Sequence, residues 1–397
     1  MSKVPIPSRL TKVMRSVQRR TITSGTGRLS LQARARMSGR APQTILLVSD
    51  GAEYTSEQQF APLIRHAGTI ARHFGITFRF VRPDVACAMS ADQLRGFAAV
   101  GIKLSFRTTA DEAESIAEAL FAPLEGHRTR ALVFDGDDDL GVLFHGVIAR
   151  CDAYIKKHIY ADLADYGRQT VGKSNLTDVA HRDHGVNFQD DIIPTSGGLD
   201  PKSVGKIVLG WNIALDDKIY DLSRDLGPLQ EGARRYDLSC RASVAESVWT
   251  HGHRDAAVKA IEALADTYRV HAPKDRVPQA AYYAEMLQSR ISVSPFGFGE
   301  LCWRDFECIL CGAVLVKPDM SHLRTAPDLF VPGETCLPVA WNFSDLGSVC
   351  APYLADEAMR REMADKARAR LFSALEEAWF LKRFSETMQA AGVTRKL

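Results

Sequence analysis

Short apolar runs alternate with helical patterns along most of this chain, and this alternation limits the possible fold more than any other feature. Thr44-Ile-Leu-Leu-Val-Ser is an apolar run that ends at Asp50, a helical pattern continues to His73, and Phe78–Val81 is a second apolar run. Strands that alternate with helices of this length form a parallel sheet with helices on both faces. The sequence therefore predicts an α/β domain in the first half of the chain.

A second alternating set begins with the apolar run 206–210 and includes the strands Ile291–Ser294 and Ala313–Val316. Between the two sets, over residues 165–206, the apolar periodicity fades and Gly, Asp, Asn and Ser accumulate, which indicates a linker or the wall of an interdomain cleft. Beyond residue 355, apolar residues recur at near-helical spacing and predict one long helix or two shorter ones. These patterns divide the chain into a basic, flexible arm at 1–43, α/β domains at 44–200 and 201–350, and a C-terminal helical segment at 351–397.

The charged residues are distributed unevenly, although the 397-residue chain has a formal net charge of only +2. The segment before Thr44 contains no Asp or Glu and ten basic residues, namely Lys3, Arg9, Lys12, Arg15, Arg19, Arg20, Arg28, Arg34, Arg36 and Arg40. The rest of the chain has 40 basic and 48 acidic residues, a net charge of −8, so it is not a general polyanion-binding protein.

The arm fits three descriptions: an amphipathic helix on anionic lipid, a solvated tail, or an organellar transit peptide. The longest apolar run, Cys308–Val316, has nine residues and is too short to span a membrane. Eight cysteines without dense spacing favour a reducing compartment.

Residues 291–319 form the most specific pattern, a strand, a glycine turn, a helix and a second strand. Gly297 and Gly299 allow the backbone to approach a ligand closely. In a helix over 300–311, Glu300, Arg304 and Glu307 lie on one narrow stripe opposite an apolar arc. This stripe would line the crevice in which α/β sheets bind ligands, where an Arg suits a diphosphate and a carboxylate suits a ribose diol. The alternative is that the three side chains form weak, exposed ion pairs.

The order strand, Pro-Phe-Gly-Phe-Gly, Arg304-Asp-Phe-Glu307 and Gly312-Ala-Val-Leu-Val resembles the C-terminal domain of GT-B-fold glycosyltransferases, most closely the exostosin-like group and related bacterial polysaccharide enzymes. The resemblance covers about residues 285–346 and is only architectural elsewhere. It implies an α/β fold of two Rossmann-like domains that face each other across a cleft. The nucleotide-sugar donor would bind the C-terminal domain, and the acceptor would bind the N-terminal domain.

The resemblance also implies roles for residues of the motif. Glu307 would hold the ribose of the donor, and Arg304 would lie near its pyrophosphate. Lys317 ends the strand after the motif and Arg254 opens a helix of the second domain, so both could point at the diphosphate.

One departure from the family pattern concerns Glu300. Retaining GT-B enzymes often place two Glu residues eight positions apart, but the position eight before Glu307 is Gly299. The motif therefore predicts neither retention nor inversion of the anomeric configuration.

Asp135-Gly-Asp-Asp-Asp139 follows a predicted strand and contains the Asp-x-Asp spacing that suits a hard divalent cation. The alternatives are a solvated acidic loop and a carboxylate that faces the interdomain cleft as general base. We take Asp137 as the candidate base. We expect no metal and no cofactor, because fixed cations and helix termini can balance the charge of the leaving group.

Three residue pairs have zinc-ligand spacing: His181 with His184, His251 with His253, and Cys308 with Cys311. No second cysteine pair stands at the distance that a zinc ribbon needs, so structural or surface roles are expected. Lys156-Lys157-His158 ends a predicted strand and could meet a phosphate, but a solvated strand end is the favoured interpretation.

The sequence therefore predicts a glycosyltransferase that moves a sugar from a nucleotide-sugar donor to a saccharide or lipid-linked acceptor in cell-surface polysaccharide or glycoconjugate synthesis. Two other classes stay open: a catalytically inactive nucleotide-sugar-binding subunit or scaffold protein, and an adaptor that binds membrane or nucleic acid through the arm alone. For the leading hypothesis we expect a cytoplasmic protein, peripheral on an anionic membrane surface through residues 1–43, with no nucleic-acid partner.

Overall fold

The computed structural model describes residues 22, 24–51, 58–187, 198–226, 229, 234–243 and 248–394. Six of the ten basic residues of the arm, from Lys3 to Arg20, lie outside the described residues, as do Ser196 and Gly197 of the predicted linker.

The first half of the chain alternates strands and helices as predicted. Its elements are α1 Gly25–Arg36, β1 Gln43–Ser49, α2 Ala61–Arg65, α3 Ala67–Phe74, β2 Ile76–Val81, α4 Pro83–Cys87, α5 Ala91–Arg95, β3 Ala99–Lys103, α6 Ala110–Phe121, β4 Arg130–Asp135, α7 His145–Arg150, β5 Ala153–Lys156, β6 His158–Tyr160, α8 Asn175–His184, α9 Pro201–Val204, β7 Ile207–Leu209 and α10 Asp217–Asp225. Short 3-10 helices cover Ala122–Leu124, Leu163–Gly167 and Ile213–Leu215.

The second half continues the alternation and ends in three helices. Its elements are β8 Tyr236–Ser239, α11 Val248–Glu262, β9 Val270–His271, α12 Gln279–Leu287, β10 Ser289–Val293, α13 Trp303–Leu310, β11 Val314–Pro318, β12 Leu323–Thr325, β13 Cys336–Val339, α14 Leu346–Ala355, α15 Glu357–Leu375 and α16 Glu377–Ala390.

Within the described residues, two parallel sheets form the centres of two domains. The first sheet has the strand order β2-β1-β3-β4-β5-β7 and the second has the order β13-β11-β10-β8-β9. All strand pairs in both sheets are parallel. Their central residues, such as Leu46, Leu132 and Leu315, are apolar and fully buried, as expected for sheets covered on both faces. The predicted fold class, two Rossmann-like α/β domains with C-terminal helices, is confirmed.

β7 forms where a strand is predicted, but it belongs to the first domain. It pairs with β5 in parallel, so the N-terminal sheet extends past residue 200, and the second sheet begins at Tyr236. The expectation that the run 206–210 opens the second set is therefore wrong, because a three-residue apolar strand carries no local sign of which sheet it joins. The last helix, α16, also returns to the first domain, where Phe384 packs against Phe74 and Phe78.

A short antiparallel ribbon joins the two domains. It pairs β6 from the first domain with β12 from the second. Beside it, Asn212 Nδ2 donates to the Thr325 hydroxyl at 2.7 Å and to the Pro327 carbonyl at 2.8 Å. The pairing of β6 with β12 therefore helps to fix the relative position of the loops that face each other between the domains.

Part of the predicted flexible arm is a helix. α1 begins after Ser24, whose side chain accepts from Gly27 N, and it packs on α3 and β2 with Leu31 and Ala35 buried. These two residues lie four positions apart, on one helical face. The expectation of a flexible segment is therefore wrong for residues 25–36. Among the described residues, no helix is long and apolar enough to cross a membrane.

The segment between the two predicted sets contributes to the interdomain interface. α8 packs against α11 of the second domain. The contact is close, since a Cβ on Gly252 of α11 would lie 2.4 Å from the His184 ring. Of the two interpretations of this segment, the structure favours a wall between the domains over a linker.

Candidate functional site

The helix after the glycine turn begins later than predicted. α13 starts at Trp303, with Cys302 as its N-cap residue. Asp305 accepts the Cys302 N–H at 2.9 Å and so closes the first turn. Glu300 lies in the loop before the helix and does not share a helical stripe with Glu307. The predicted helix is therefore wrong at its first turn.

A cavity of about 570 Å³ lies beside α13, between the two domains. Among the described residues, the cationic side chains that line it are Lys218, Arg241, Arg254, Arg276 and Arg304, and the acidic ones are Asp138, Asp275 and Glu307. The rings of Trp303, Phe298 and Tyr282 also contribute to the wall. An excess of cations beside aromatic rings suits an anionic ligand that carries a flat group.

Glu307 is buried in the wall of this cavity and contacts three donors. Tyr282 O–H donates to Oε2 at 2.8 Å, and Tyr283 O–H donates to Oε1 at 2.9 Å. Lys218 Nζ lies 2.7 Å from Oε1. Burial and the adjacent carboxylate raise the pKa of both tyrosines, so both stay protonated donors.

The interpretation of Glu300, Arg304 and Glu307 as exposed ion pairs is wrong. Glu307 is 2% exposed and Glu300 is 0% exposed. A surface salt bridge is compatible with neither value.

Gly297, Arg254 and Arg304 line the same cavity. Arg304 Nη1 donates to the Pro295 carbonyl at 3.3 Å, and Arg254 Nη1 donates to the Ser243 carbonyl at 2.8 Å. A Cβ on Gly297 would lie 3.4 Å from Arg254 Nη2, so a larger residue would press on the guanidinium. The structure thus brings three predicted residues together with Glu307.

Lys317 is one of three predicted donor-site residues that do not line the cavity. It is fully buried, and its Nζ donates to both carboxylate oxygens of Asp305, at 2.8 and 2.9 Å. Because Asp305 caps α13, this ion pair ties the helix to β11. A role for Lys317 at the donor diphosphate does not fit this position.

Glu300 and Gly299 face the first domain and do not line the cavity. Glu300 Oε2 lies 3.2 Å from His158 Nε2, and Oε1 lies 3.7 Å from His322 Nε2. Burial would raise the pKa of Glu300, but the two imidazoles outweigh burial and hold the pKa at about 2. A Cβ on Gly299 would lie 1.4 Å from the Asp138 carbonyl oxygen. The sequence predicted that Gly299 makes room for a ligand. In the structure it makes room for the backbone of the other domain.

Asp137, the candidate base, belongs to a buried ionic network. Lys173 Nζ lies 2.8 Å from Asp137 and 3.3 Å from Asp139. Burial would raise the pKa of Asp137, but the attraction of Lys173 outweighs burial and the pKa falls well below its ordinary value. Burial raises the pKa of Asp139 to about 7, with Lys173 opposing this shift. A carboxylate with a strongly lowered pKa is a weak base, so Asp137 is poorly suited to the predicted role.

Asp138, the next residue, lies where two cavities meet. It lines the 570 Å³ cavity and also a cavity of about 60 Å³ at the ends of β3 and β4. No other described residue lines both. Its side chain is 39% exposed, and Oδ1 lies 2.7 Å from Lys157 Nζ. The carboxylate of the acidic loop that faces the large cavity is therefore Asp138.

Lys156, Lys157 and His158 are all buried, so the expectation of a solvated strand end is wrong. Each contacts a carboxylate: Lys156 contacts Asp135, Lys157 contacts Asp138, and His158 contacts Glu300. Charged groups inside an interface need such partners, because burial without one is costly. These ion pairs occupy the charged groups that could otherwise meet a phosphate.

The sequence pattern does not single out several polar residues of the cavity wall, among them Lys218, Arg241 and Tyr282. Arg241 follows the end of β8, a usual position for ligand contacts in parallel sheets, and this position was the available signal. Lys218 lies in the connection between the two sheets, and Tyr282 lies in a helix that also contains Gln279, Tyr283 and Glu285, from which nothing in the sequence distinguishes it. Neither has a local sequence signal.

The described residues contain no group of three or more His, Cys, Asp or Glu side chains that could hold a metal ion. Cys308 and Cys311 are buried free thiols, and burial raises the pKa of both. His253 stacks on Phe296 with ring centroids 5.1 Å apart.

Residues 241–379, about a third of the chain, match the protein family described as glycosyl transferase-like. This segment contains Arg254, Arg304 and Glu307 of the cavity wall. No curated protein sequence matches the chain.

Three solved structures illustrate what the fold is similar to. A glycosyltransferase from Rickettsia africae is 10% identical, with 89% of this chain and 99% of that chain covered and a TM-score of 0.45. S. aureus MnaA, solved with UDP, is 10% identical, with 85% and 97% covered and a TM-score of 0.40. The N-terminal domain of a Candida albicans trehalose-6-phosphate phosphatase is 8% identical, with 88% and 97% covered and a TM-score of 0.46.

Proposed function

We propose that this protein is a nucleotide-sugar-dependent glycosyltransferase. The observation that carries the proposal is the interdomain cavity, whose wall combines the buried carboxylate of Glu307 with several cations, including Arg254 and Arg304. A carboxylate can accept hydrogen bonds from a ribose diol, and cations can balance a diphosphate. The match to the glycosyl transferase-like family over the same residues supports this assignment.

In the proposed reaction, a hydroxyl oxygen of the acceptor forms a bond to the anomeric carbon of the donor sugar, and the bond from that carbon to the diphosphate oxygen breaks. The electron pair of the broken bond leaves with the nucleoside diphosphate, and the guanidiniums of Arg254 and Arg304 stabilise the added charge. The hydroxyl proton passes to a carboxylate. Asp138 replaces Asp137 in this role, because it faces both cavities.

The acceptor in this proposal is a saccharide or a lipid-linked sugar on the first domain. The smaller cavity there combines Lys103 and Asp135 with the rings of Phe106 and Phe144, a mixture that suits sugar hydroxyls and ring faces. The glycine turn and the spacing from Arg304 to Glu307 favour the exostosin-like and bacterial polysaccharide group, and hence cell-surface polysaccharide or glycoconjugate synthesis.

Two measurements test the proposal in sequence. Thermal unfolding with UDP, GDP, ADP, CDP and the corresponding nucleotide sugars should show a concentration-dependent rise in Tm for at least one of them, since a ligand that binds only the native state stabilises it. Release of that nucleoside diphosphate from its sugar should then be measured with a panel of saccharide acceptors. If none of the nucleotides raises Tm, the proposal fails.

The general base is tested by Asp138→Asn, with the exposed Asp162→Asn as the matched control. Loss of a positioned base should lower turnover by about 10²- to 10⁴-fold while the donor still binds. Full turnover in the Asp138 variant would remove this residue from the mechanism.

The second candidate is a catalytically inactive nucleotide-sugar-binding subunit or scaffold. The ion pair between Asp138 and Lys157 favours it, because the ammonium 2.7 Å from Oδ1 occupies an acceptor position that an incoming hydroxyl would need. Donor binding without release of nucleoside diphosphate, whatever acceptor is added, would favour this candidate over the enzyme.

A further inference from the structure

We propose that Lys218 is a donor-responsive cation, which pairs with Glu307 while the cavity is empty and with the diphosphate once a donor binds. The inference rests on the proposed function, because it takes the ligand to be a nucleoside diphosphate that carries a sugar. Lys218 lies at the start of α10, in the connection between the sheets and outside the segment that matches the transferase family.

The first step concerns the acceptor positions of Glu307. Each carboxylate oxygen can accept about two hydrogen bonds. Oε1 contacts both the Tyr283 hydroxyl at 2.9 Å and Lys218 Nζ at 2.7 Å, whereas Oε2 accepts from the Tyr282 hydroxyl. A vicinal diol that contacts both oxygens needs a free position on each of them. One partner of Oε1 must therefore withdraw when a ribose binds.

Lys218 is the partner of Oε1 that can withdraw. Tyr283 is only 2% exposed and its ring packs against Tyr282, so its hydroxyl moves only if the buried ring moves. The Lys218 side chain is 28% exposed and lines the cavity. Its four-carbon stem allows the ammonium to change partner at small cost.

The cavity wall gives the released ammonium a defined position. Lys218 Nζ lies 4.4 Å from the centre of the Trp303 ring, and Trp303 Nε1 donates to Asp216 Oδ2 at 3.1 Å. The anchored ring is a fixed surface across which the ammonium can turn toward the cavity. A diphosphate brings negative charge into this space and replaces the charge of Glu307 as the partner of Lys218.

This exchange predicts opposite effects on two kinds of ligand. A nucleoside must break the ion pair between Lys218 and Glu307 and offers no phosphate in return. A nucleoside diphosphate breaks the same ion pair and replaces it. Removal of the ammonium should therefore raise the affinity for the nucleoside, or leave it unchanged, and lower the affinity for the nucleoside diphosphate.

The experiment measures both affinities by calorimetry for wild type, Lys218→Met and the control Arg224→Met, which removes an exposed cation from the same helix. Two probes are used. The first is the nucleoside diphosphate, among UDP, GDP, ADP and CDP, that raises the wild-type Tm most, and the second is its parent nucleoside. Lys218→Met should lower the affinity for the diphosphate by roughly tenfold or more. The affinity for the nucleoside should stay the same or rise. Lys218→Arg should restore most of the diphosphate affinity, and Arg224→Met should change neither.

Equal weakening of both ligands would overturn the inference, because it would show that Lys218 only supports Glu307. An unchanged diphosphate affinity would overturn it as well. If no nucleoside diphosphate binds the wild type, the proposed function itself fails. If the wild type binds a nucleoside diphosphate and Lys218→Met binds it with the same affinity, only the exchange of partners by Lys218 is wrong.

Discussion

Gly299 of the second domain lies directly against the backbone of Asp138 in the first domain. A Cβ on Gly299 would lie 1.4 Å from the Asp138 carbonyl oxygen and 2.6 Å from Asp139 N. Since Asp138 also lines both cavities, one glycine sets how closely the proposed base approaches the proposed donor site. The interface between the domains is therefore part of the site.

Gly299→Ala should force the two loops apart. Backbone atoms cannot yield as a flexible side chain does, so we expect a loss of unfolding free energy of about 1–3 kcal/mol. Turnover should fall more than donor affinity, because Gly299 contacts the backbone of Asp138, the proposed base, and not Glu307. Urea unfolding checks the first effect, with Gly25→Ala as control, since a Cβ there would meet nothing within 4 Å. Equal stability of the Gly299 variant and wild type would contradict the packing.

Glu307→Gln should weaken the binding of a nucleoside diphosphate by about 1.5–3 kcal/mol, because a neutral amide replaces the charged acceptor. Glutamine is a better choice than alanine, which would also leave two tyrosine hydroxyls unpaired in a buried site. Calorimetry measures the change, and the exposed Glu262→Gln is the control. Unchanged affinity would assign Glu307 a purely structural role.

The longer apolar strands were predictable from local sequence, whereas short strands such as β8 and β9, and the partners across the domain interface, were not. Apolar runs such as those of β1 and β11 are typical of buried parallel strands, and their alternation with helical patterns indicated the fold class. β7 has three residues and joins the first sheet through β5, which no local pattern indicates. Leu31 and Ala35 are too few apolar residues to predict α1 from its sequence.

The site divides in the same way. Arg304 and Glu307 lie on one helix, so their common cavity could be inferred from spacing. Glu300 instead contacts His158, 142 positions away, and this contact removes it from the predicted stripe. Lys218 and Glu307 come together only through the packing of α10 on α13.

His253 should make stability depend on pH. Burial lowers its pKa from 6.5 to about 3, so between these values the unfolded chain binds a proton that the folded chain does not. Stability should therefore be full above pH 6.5 and fall as the pH drops toward 3, with a loss of about 2 kcal/mol at pH 5.

His253→Phe should remove this dependence, since a phenyl ring can keep the stacking on Phe296 and cannot take up a proton. Urea unfolding at pH 5 and pH 7.5 measures the effect, with His251→Phe as an exposed control on the same helix. The idea is wrong if the wild type and His253→Phe lose the same free energy between these two pH values.

Residues 1–20 contain six basic residues and no acidic ones, and we predict that they bring the protein to anionic membranes. The comparison chain should begin at Thr21 rather than Thr44, because Ile22 is buried and α1 packs on the first domain. Each basic residue near an anionic surface contributes up to about 1 kcal/mol, so even part of the segment suffices for measurable binding. The full chain should sediment with vesicles that contain phosphatidylserine, less so at high salt, and not with neutral vesicles. Equal sedimentation of the two chains, or binding that salt does not weaken, would leave residues 1–20 without a membrane role.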